Sequence, residues 1–134
     1  MKAYCNTVLL IDDNEIDNVI NHQLIRLSNF AENIVTKQYA DDALEFLRNE
    51  YKIKKEVPDI IFLDILMPVT DGFEFLESFE TFHDNLKNKT RIFMLTSSID
   101  KEDEARAFKS KYVKQFLRKP LTVEVLENLK SQKL

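Results

Sequence analysis

The sequence is predicted to fold as an α/β domain with a parallel β-sheet, and three observations predict it. Five short apolar runs alternate with longer segments whose apolar residues recur at helical spacing. Four of those runs are followed at once by polar or charged residues, as buried parallel strands often are. The 134 residues, 44% of them apolar, are enough for one domain with a proper core. We therefore expect a single domain over residues 1–134.

The apolar runs place five strands along the chain. They cover about residues 7–11, 33–37, 60–63, 91–95 and 115–118. The second run is the weakest of the five and could extend to residue 39. Alternation of such strands with helices is typical of a doubly wound, flavodoxin-like sheet with strand order 2-1-3-4-5, flanked here by five helices.

Apolar residues at helical spacing mark four of the five helices, and the remaining one covers about residues 101–110. The marking residues are Ile16, Val19, Ile20, Leu24 and Leu27; then Ala43, Leu44 and Leu47; then Phe75, Leu76 and Phe79; and finally Val125, Leu126 and Leu129. Asp41 is predicted to be the N-cap of the second helix. Residues 49–57 and 83–90 are interpreted as polar connections. The only glycine, Gly72, is expected to supply a positive φ angle in a turn.

Polar groups follow four of the five strands. Asp12 and Asp13 follow the first strand, Asp64 closes the third, Thr96 follows the fourth and Lys119 follows the fifth. Ligands of such sheets bind beyond the carboxyl ends of the strands, where the strand order reverses. In the order 2-1-3-4-5 that place lies between the first and third strands. The topology therefore predicts that the three carboxylates lie together.

Three neighbouring carboxylates predict a metal-assisted phosphoryl site. Two like charges 4 Å apart repel by about 1 kcal/mol in water and by about 4 kcal/mol at an effective dielectric constant near 20. A compact cation with oxygen ligands, Mg²⁺, would relieve that repulsion. Asp64 stands alone near the sheet centre and is the best candidate for a nucleophile that forms an acyl phosphate. Asp12 and Asp13 would hold the metal, with Lys119 as the counter-charge.

Each of these residues also has a purely structural interpretation. Asp12 could cap the first helix, Lys119 could pair with any surface acid, and Thr96 could be an ordinary loop hydroxyl. Taken singly, each structural interpretation is the better one. The functional interpretation is favoured for the set as a whole, because all five residues fall at the sheet edge where ligands bind in this topology.

Composition disfavours several other classes of protein. The formal net charge is −4 and the basic residues are scattered along the chain, which disfavours a nucleic-acid surface. No apolar stretch approaches the length of a membrane span. The single cysteine, Cys5, cannot form an internal disulfide, so a reducing cytoplasm is the expected location.

Four motifs resemble those of the receiver domain of bacterial response regulators. They are LIDDN at residues 10–14, IFLDILMP at 61–68 followed by DG at 71–72, LTSS at 95–98 and FLRKP at 116–120. The resemblance covers nearly the whole chain. It implies a cytoplasmic two-component signalling protein that takes a phosphoryl group from a sensor histidine kinase or a histidine phosphotransfer protein.

The resemblance also implies a role for each site residue. Asp64 would be phosphorylated, and Thr96 would bond the phosphoryl group. Asp13, Asp64 and the backbone carbonyl of Leu66 would bind Mg²⁺ directly, with Asp12 acting through water. Phe116 would be the switch aromatic, and the Lys119–Pro120 peptide bond would be cis. The surface that a target reads would combine the fourth helix, the fifth strand and the last helix.

The expected function is a stand-alone receiver with no output domain, which acts on an unknown protein target and catalyses only its own phosphorylation and dephosphorylation. An intermediate in a phosphorelay is the main alternative. A phosphohydrolase of the haloacid dehalogenase type is disfavoured because Leu66 stands where those enzymes have a second aspartate. A receiver-like binding module that is never phosphorylated is disfavoured by the intact acidic set.

Three departures from the family pattern stand out. Tyr112 and Val113 occupy the turn where the family usually has glycine, so the preceding helix must end in another way. Residues 49–57 and 78–90 are longer than the common pattern, as in some stand-alone receivers. Leu66 offers no polar side chain to orient an attacking water, so slow autodephosphorylation is expected.

Overall fold

Five parallel strands form one sheet in the order β2-β1-β3-β4-β5. The structure is a computed structural model that describes residues 2–54, 57–65, 67, 69–97 and 100–132. The strands are β1 (Cys5–Ile11), β2 (Ala31–Lys37), β3 (Ile60–Asp64), β4 (Arg91–Thr96) and β5 (Val113–Arg118). The helices are α1 (Glu15–Leu27), α2 (Ala40–Lys54), α3 (Gly72–Phe79), α4 (Asp84–Lys89), α5 (Lys101–Ala107) and α6 (Val123–Lys130). The predicted fold class and strand order are confirmed.

Two apolar layers bury the sheet, one on each face. Alternate residues of each central strand enter opposite layers, as the two-residue period of a strand requires. Helices α2, α3, α4 and α5 contribute to the first layer, and helices α1 and α6 contribute to the second. All five residues of β3 are buried, which explains its unbroken apolar run up to Asp64.

Helix α1 differs from its prediction because its apolar stripe lies mostly in solvent. The buried residues of α1 are Asn18, Asn21 and Ile25. The side-chain amide of Asn18 donates to the carbonyl of Asp12 at 2.8 Å, which turns this polar face towards the sheet. The residues left between 50% and 80% exposed are Ile16, Val19, Ile20 and Leu27.

The described residues contain six helices rather than the five that were predicted. Helix α4 forms inside residues 83–90, which had been interpreted as a connection. His83 caps it, since its Nδ1 accepts from the backbone N–H of Asn85 at 3.2 Å, and Leu86 is its one buried anchor. Helix α2 begins at Ala40, one residue before the predicted start, so Asp41 lies in its first turn and is not its N-cap. The helix also runs on into residues 49–57. Within the described ranges, no helix is both long and apolar enough to cross a membrane.

Helix α5 ends earlier than predicted and does so without glycine. The backbone N–H of Phe108 still bonds the carbonyl of Glu104, and tighter bonds close the following turn. Tyr112 then enters the core, where its ring meets the edge of Phe79 at a centroid distance of 5.6 Å. Burial of this aromatic ring offsets the loss of the usual glycine turn.

The only glycine is needed for space, not for a positive φ angle. Gly72 is the first residue of α3, and a Cβ there would lie 2.7 Å from the backbone oxygen of Asp64 and 3.0 Å from Cα of Ile65. Among the described residues of this connection, Val69 has a positive φ angle, at 69°. The prediction that Gly72 matters in this connection was therefore right, but the predicted reason, a positive φ angle, was wrong.

We expect Gly72→Ala to lower the free energy of unfolding by about 1–3 kcal/mol, because the added methyl group meets backbone atoms that cannot swing away. For a domain of this size that is a fall of about 4 °C or more in the melting temperature, measured by circular dichroism. Val69→Gly is the matched comparison in the same connection. It should cost no stability, since it removes a β-branched residue from the left-handed region. A Gly72→Ala protein as stable as the wild type would contradict the close approach.

Candidate functional site

The three carboxylates that follow β1 and β3 meet at one edge of the sheet. The strands pair in parallel with Ile11 opposite Leu63, so the residues after Ile11 come beside Asp64. One carboxylate oxygen from each of Asp12, Asp13 and Asp64 lies within 4.8 Å of the other two. Asp12 is 2% exposed and Asp64 is 5% exposed, whereas Asp13 is exposed to solvent. The structure thus brings together the three acids that the topology had placed there.

Lys119 reaches the acids from the end of β5. Its ammonium donates to Asp12 Oδ2 at 2.8 Å and lies 3.4 Å from Asp64 Oδ1. Its backbone N–H donates to the carbonyl of Thr96 at 2.6 Å, which fixes the chain at this point, and the Lys119–Pro120 peptide bond is cis. Burial lowers the pKa of Lys119, but the hydrogen bond to Asp12 and the nearby carboxylate charges raise it above its usual value overall. The side chain therefore keeps its positive charge among the acids.

One ammonium does not balance three carboxylates. Burial raises the pKa of Asp64 and the charge of Asp12 raises it further, while Lys119 acts in the opposite direction. The net result is a pKa of about 7 for a group whose usual value is 3.8. In the absence of a cation, the folded protein therefore disfavours the ionised form of Asp64.

Asp12 is held in place by the start of α1. The backbone N–H of Asn14 donates to Asp12 Oδ1 at 2.9 Å, and Asn18 binds the backbone carbonyl of Asp12. Because Lys119 takes the other carboxylate oxygen, both oxygens of Asp12 have fixed partners. The orientation of this carboxylate is set before any ligand arrives.

Thr96 and Phe116 lie next to this cluster in the fold. Asp64 is opposite Leu95 in the β3–β4 register, which places Thr96 one residue farther along at the same sheet edge. Thr96 is buried. Phe116 sits in β5 opposite Met94, with its side chain buried in the layer that includes Ala107 of α5.

The sequence prediction did not include two contacts of the site, and one predicted metal ligand is not among the described residues. Asp17 Oδ2 lies 3.5 Å from the Lys119 ammonium, and Asn18 supports Asp12 from the same helix. The sequence offered one signal for these two residues. A helix that begins just after β1 must have its first turn at the sheet edge where β1 ends. Leu66, whose carbonyl was predicted to bind Mg²⁺, lies outside the described residues.

Comparison with known proteins shows the family. A family model described as the response regulator receiver domain matches residues 8–130, which is most of the chain. The chain belongs to the response regulator receiver domain family.

Solved structures agree with this assignment. A two-component response regulator from Cytophaga hutchinsonii is 35% identical, with a TM-score of 0.88 and coverage of 98% of this chain and 96% of that one. A response regulator receiver protein from Dyadobacter fermentans is 28% identical, with a TM-score of 0.81 and coverage of 92% and 93%.

A curated relative differs greatly in length from this chain. It is the hybrid signal transduction histidine kinase D of Dictyostelium discoideum, which is 33% identical over 106 residues. That match takes in 77% of this chain but spans only 6% of the kinase. It therefore bears on the receiver part of that protein alone.

We expect Asp64→Asn to raise the melting temperature in metal-free buffer by several degrees at about pH 8. The pKa of Asp64 is about 7 in the folded state and about 4 in the unfolded chain, so its ionisation favours unfolding. This destabilisation is absent below about pH 4 and grows as the pH rises through about 7, so the gain should vanish at acid pH. Thermal unfolding with a chelator present measures it.

The control is Asp42→Asn, which removes an exposed carboxylate from the first turn of α2. It should change the melting temperature little at either pH. Equal melting temperatures for wild type and Asp64→Asn at about pH 8 would show that ionised Asp64 is not disfavoured by the fold.

Proposed function

We propose that this protein accepts a phosphoryl group on Asp64 from a phosphohistidine of a sensor histidine kinase or a histidine phosphotransfer protein. The observation that carries the proposal is the cluster of Asp12, Asp13 and Asp64 with the Lys119 ammonium among them. Membership in the receiver family supports the same conclusion. The two forms of the protein would then differ in affinity for a protein target.

The residues of the cluster fit a magnesium ion. Their donor set consists of carboxylate oxygens at a water-accessible edge, which suits a hard divalent cation. Asp12, Asp13 and Asp64 would hold it, together with the backbone carbonyl of Leu66 that the family resemblance implies. When bound, Mg²⁺ would neutralise carboxylate charge and polarise the oxygens of the transferred group.

Apart from the magnesium ion, the groups of the transfer step come from this chain and its donor. A carboxylate oxygen of Asp64 attacks the phosphorus, and a new O–P bond forms as the P–N bond to the donor histidine breaks. The imidazole nitrogen leaves with the electron pair and takes up a proton. Lys119 and the hydroxyl of Thr96 stabilise the charge that spreads over the phosphoryl oxygens.

The signalling step follows from the added charge. A phosphoryl group adds about −1.5 to −2 of charge beside Thr96 and Lys119. Rearrangement of Thr96 would change the packing around Phe116, which is buried between β5 and α5. We propose that the target reads the surface formed by α5, β5 and α6.

We further propose that the protein acts by contact as a stand-alone receiver, and that it catalyses only its own phosphorylation and dephosphorylation. The match to the Cytophaga protein over 96% of its chain supports a receiver of this size. The same kind of stretch is part of a much longer kinase in Dictyostelium. A relay role would use the same Asp64 chemistry with a second phosphotransfer protein as the target.

The phosphodonor is proposed to dock on α1. This helix begins two residues after Asp13, and its residues Ile16, Val19 and Ile20 are at least half exposed. Large apolar side chains grouped on an exposed helix face mark a protein-binding surface. A donor whose histidine reaches Asp64 would cover this surface at the same time.

Asp64→Asn should abolish labelling by radioactive acetyl phosphate, because the asparagine amide lacks the carboxylate oxygen that attacks phosphorus. Labelling of the wild type should require Mg²⁺ and stop in excess chelator. Asp42→Asn, with its exposed carboxylate far from the acidic cluster in sequence, should label like the wild type. Full labelling of Asp64→Asn would remove Asp64 from its proposed role.

Ile20→Glu should slow phosphoryl transfer from a phosphohistidine donor protein by about tenfold, since a charge in an apolar contact costs at least about 1.4 kcal/mol. Labelling by acetyl phosphate should be unchanged, because the small donor does not touch α1. Leu27→Glu is the matched control, as Leu27 is also exposed but lies at the far end of the helix. Equal transfer rates for Ile20→Glu and wild type would rule out this docking surface.

A further inference from the structure

The Lys119 ammonium has a third carboxylate neighbour that lies outside the acidic cluster. It is 2.8 Å from Asp12, 3.4 Å from Asp64 and 3.5 Å from Asp17. Asp17 is not among the three acids whose oxygens group closely enough to hold a metal ion. Its carboxylate therefore has Lys119 as its partner without belonging to the candidate metal site.

The geometry makes Asp17 a competitor for this lysine. One N–H of the ammonium serves the hydrogen bond to Asp12, which leaves two for other acceptors. Asp64 and Asp17 lie at nearly equal distances from the nitrogen, 3.4 and 3.5 Å, so the two remaining N–H groups already have two carboxylate neighbours. The oxygens of a phosphoryl group on Asp64 would add further acceptors, which would compete with Asp17 for the ammonium.

Helix α1 holds Asp17 in this position at little cost in free energy. Its backbone N–H donates to the side chain of the N-cap residue Asn14 at 3.1 Å, which fixes Asp17 in the first turn. The side chain of Asp17 is 39% exposed, and that of Lys119 is 20% exposed. Solvent can therefore take over the Asp17 carboxylate when the lysine leaves it.

We propose that Asp17 is a positioning residue that competes with the phosphoryl group for Lys119 and so limits the affinity of the site for phosphoryl oxygens. This inference rests on the proposed phosphorylation of Asp64. It predicts that removing the Asp17 carboxylate leaves Lys119 to the phosphoryl group and strengthens binding there. The effect requires contact with Lys119 and is not a general effect of charge.

The test is titration of the full chain with beryllofluoride in Mg²⁺, followed by ¹H–¹⁵N NMR because the sequence has no tryptophan to report binding by fluorescence. Asp17→Asn should lower the apparent Kd for beryllofluoride by about twofold to fivefold, the range expected for a partly exposed ion pair. Asp17→Glu keeps a carboxylate and should bring the Kd back towards that of the wild type.

Glu15→Gln is the matched control, because Glu15 is the other acid in the first turn of α1. It removes the same charge from the same turn, and among the described residues Glu15 forms no ion pair with Lys119. Its Kd should match that of the wild type, and the difference between the two variants should persist in about 0.5 M salt, where distant charges are screened.

The outcomes separate this inference from the proposed function. If the wild type binds beryllofluoride and Asp17→Asn binds no more tightly than Glu15→Gln, competition by Asp17 is wrong while the phosphoacceptor role stands. Weaker binding by Asp17→Asn would also overturn it. If the wild type does not bind beryllofluoride in Mg²⁺, the proposed function and this inference both fail.

Discussion

Repulsion between carboxylates at one edge of the sheet is the constraint on which the site depends. Asp12 and Asp64 are almost fully buried and lie close together, and Asp13 adds a third charge at the surface. Among the described residues, the ammonium of Lys119 lies close to Asp12 and Asp64. Burial and then the charge of Asp12 raise the pKa of Asp64, and the opposing effect of Lys119 does not cancel them. Hydrogen bonds nevertheless fix both oxygens of Asp12, so the fold holds this carboxylate in place although the neighbouring like charges repel it.

The two apolar layers provide the stability that such a cluster needs. β1 and β3 run between these layers, so the aspartates at their ends are attached to the most deeply buried part of the molecule. Two backbone features of the connection after β3 lie close to the acidic cluster in the chain. Val69 has a positive φ angle, and Gly72 touches the backbone of Asp64 where no Cβ would fit. At Gly72 the chain thus passes close to the backbone of Asp64, one of the three acids of the cluster.

The strands and the meeting of the acids could be predicted because both follow from simple rules. Apolar runs mark buried strands, and the carboxyl ends of parallel strands lie at one edge, so Asp12 and Asp64 had to be neighbours. The direction in which α1 faces could not be predicted, because hydrophobic periodicity assigns its apolar stripe to the core. The structure instead buries Asn18 and Asn21, and Asn18 donates to the backbone carbonyl of Asp12. Helix α4 was missed since one buried residue, Leu86, gives no periodic signal. The contact of Asp17 with Lys119 depends on the reach of a long side chain, which spacing does not encode.

Helix α1 joins the acidic cluster to an exposed apolar surface. One face holds the site, through Asn18 on the backbone of Asp12 and through Asp17 on the Lys119 ammonium. Its other face presents exposed apolar residues, among them Val19 and Ile20, to solvent. A helix is stiff over a few turns, so a partner that packs against the exposed face acts on the same rigid element that positions the charges of the site. The burial of asparagines in place of the apolar stripe thus has a physical consequence. It leaves the apolar face of α1 exposed to a partner and places hydrogen-bonding side chains beside the acids.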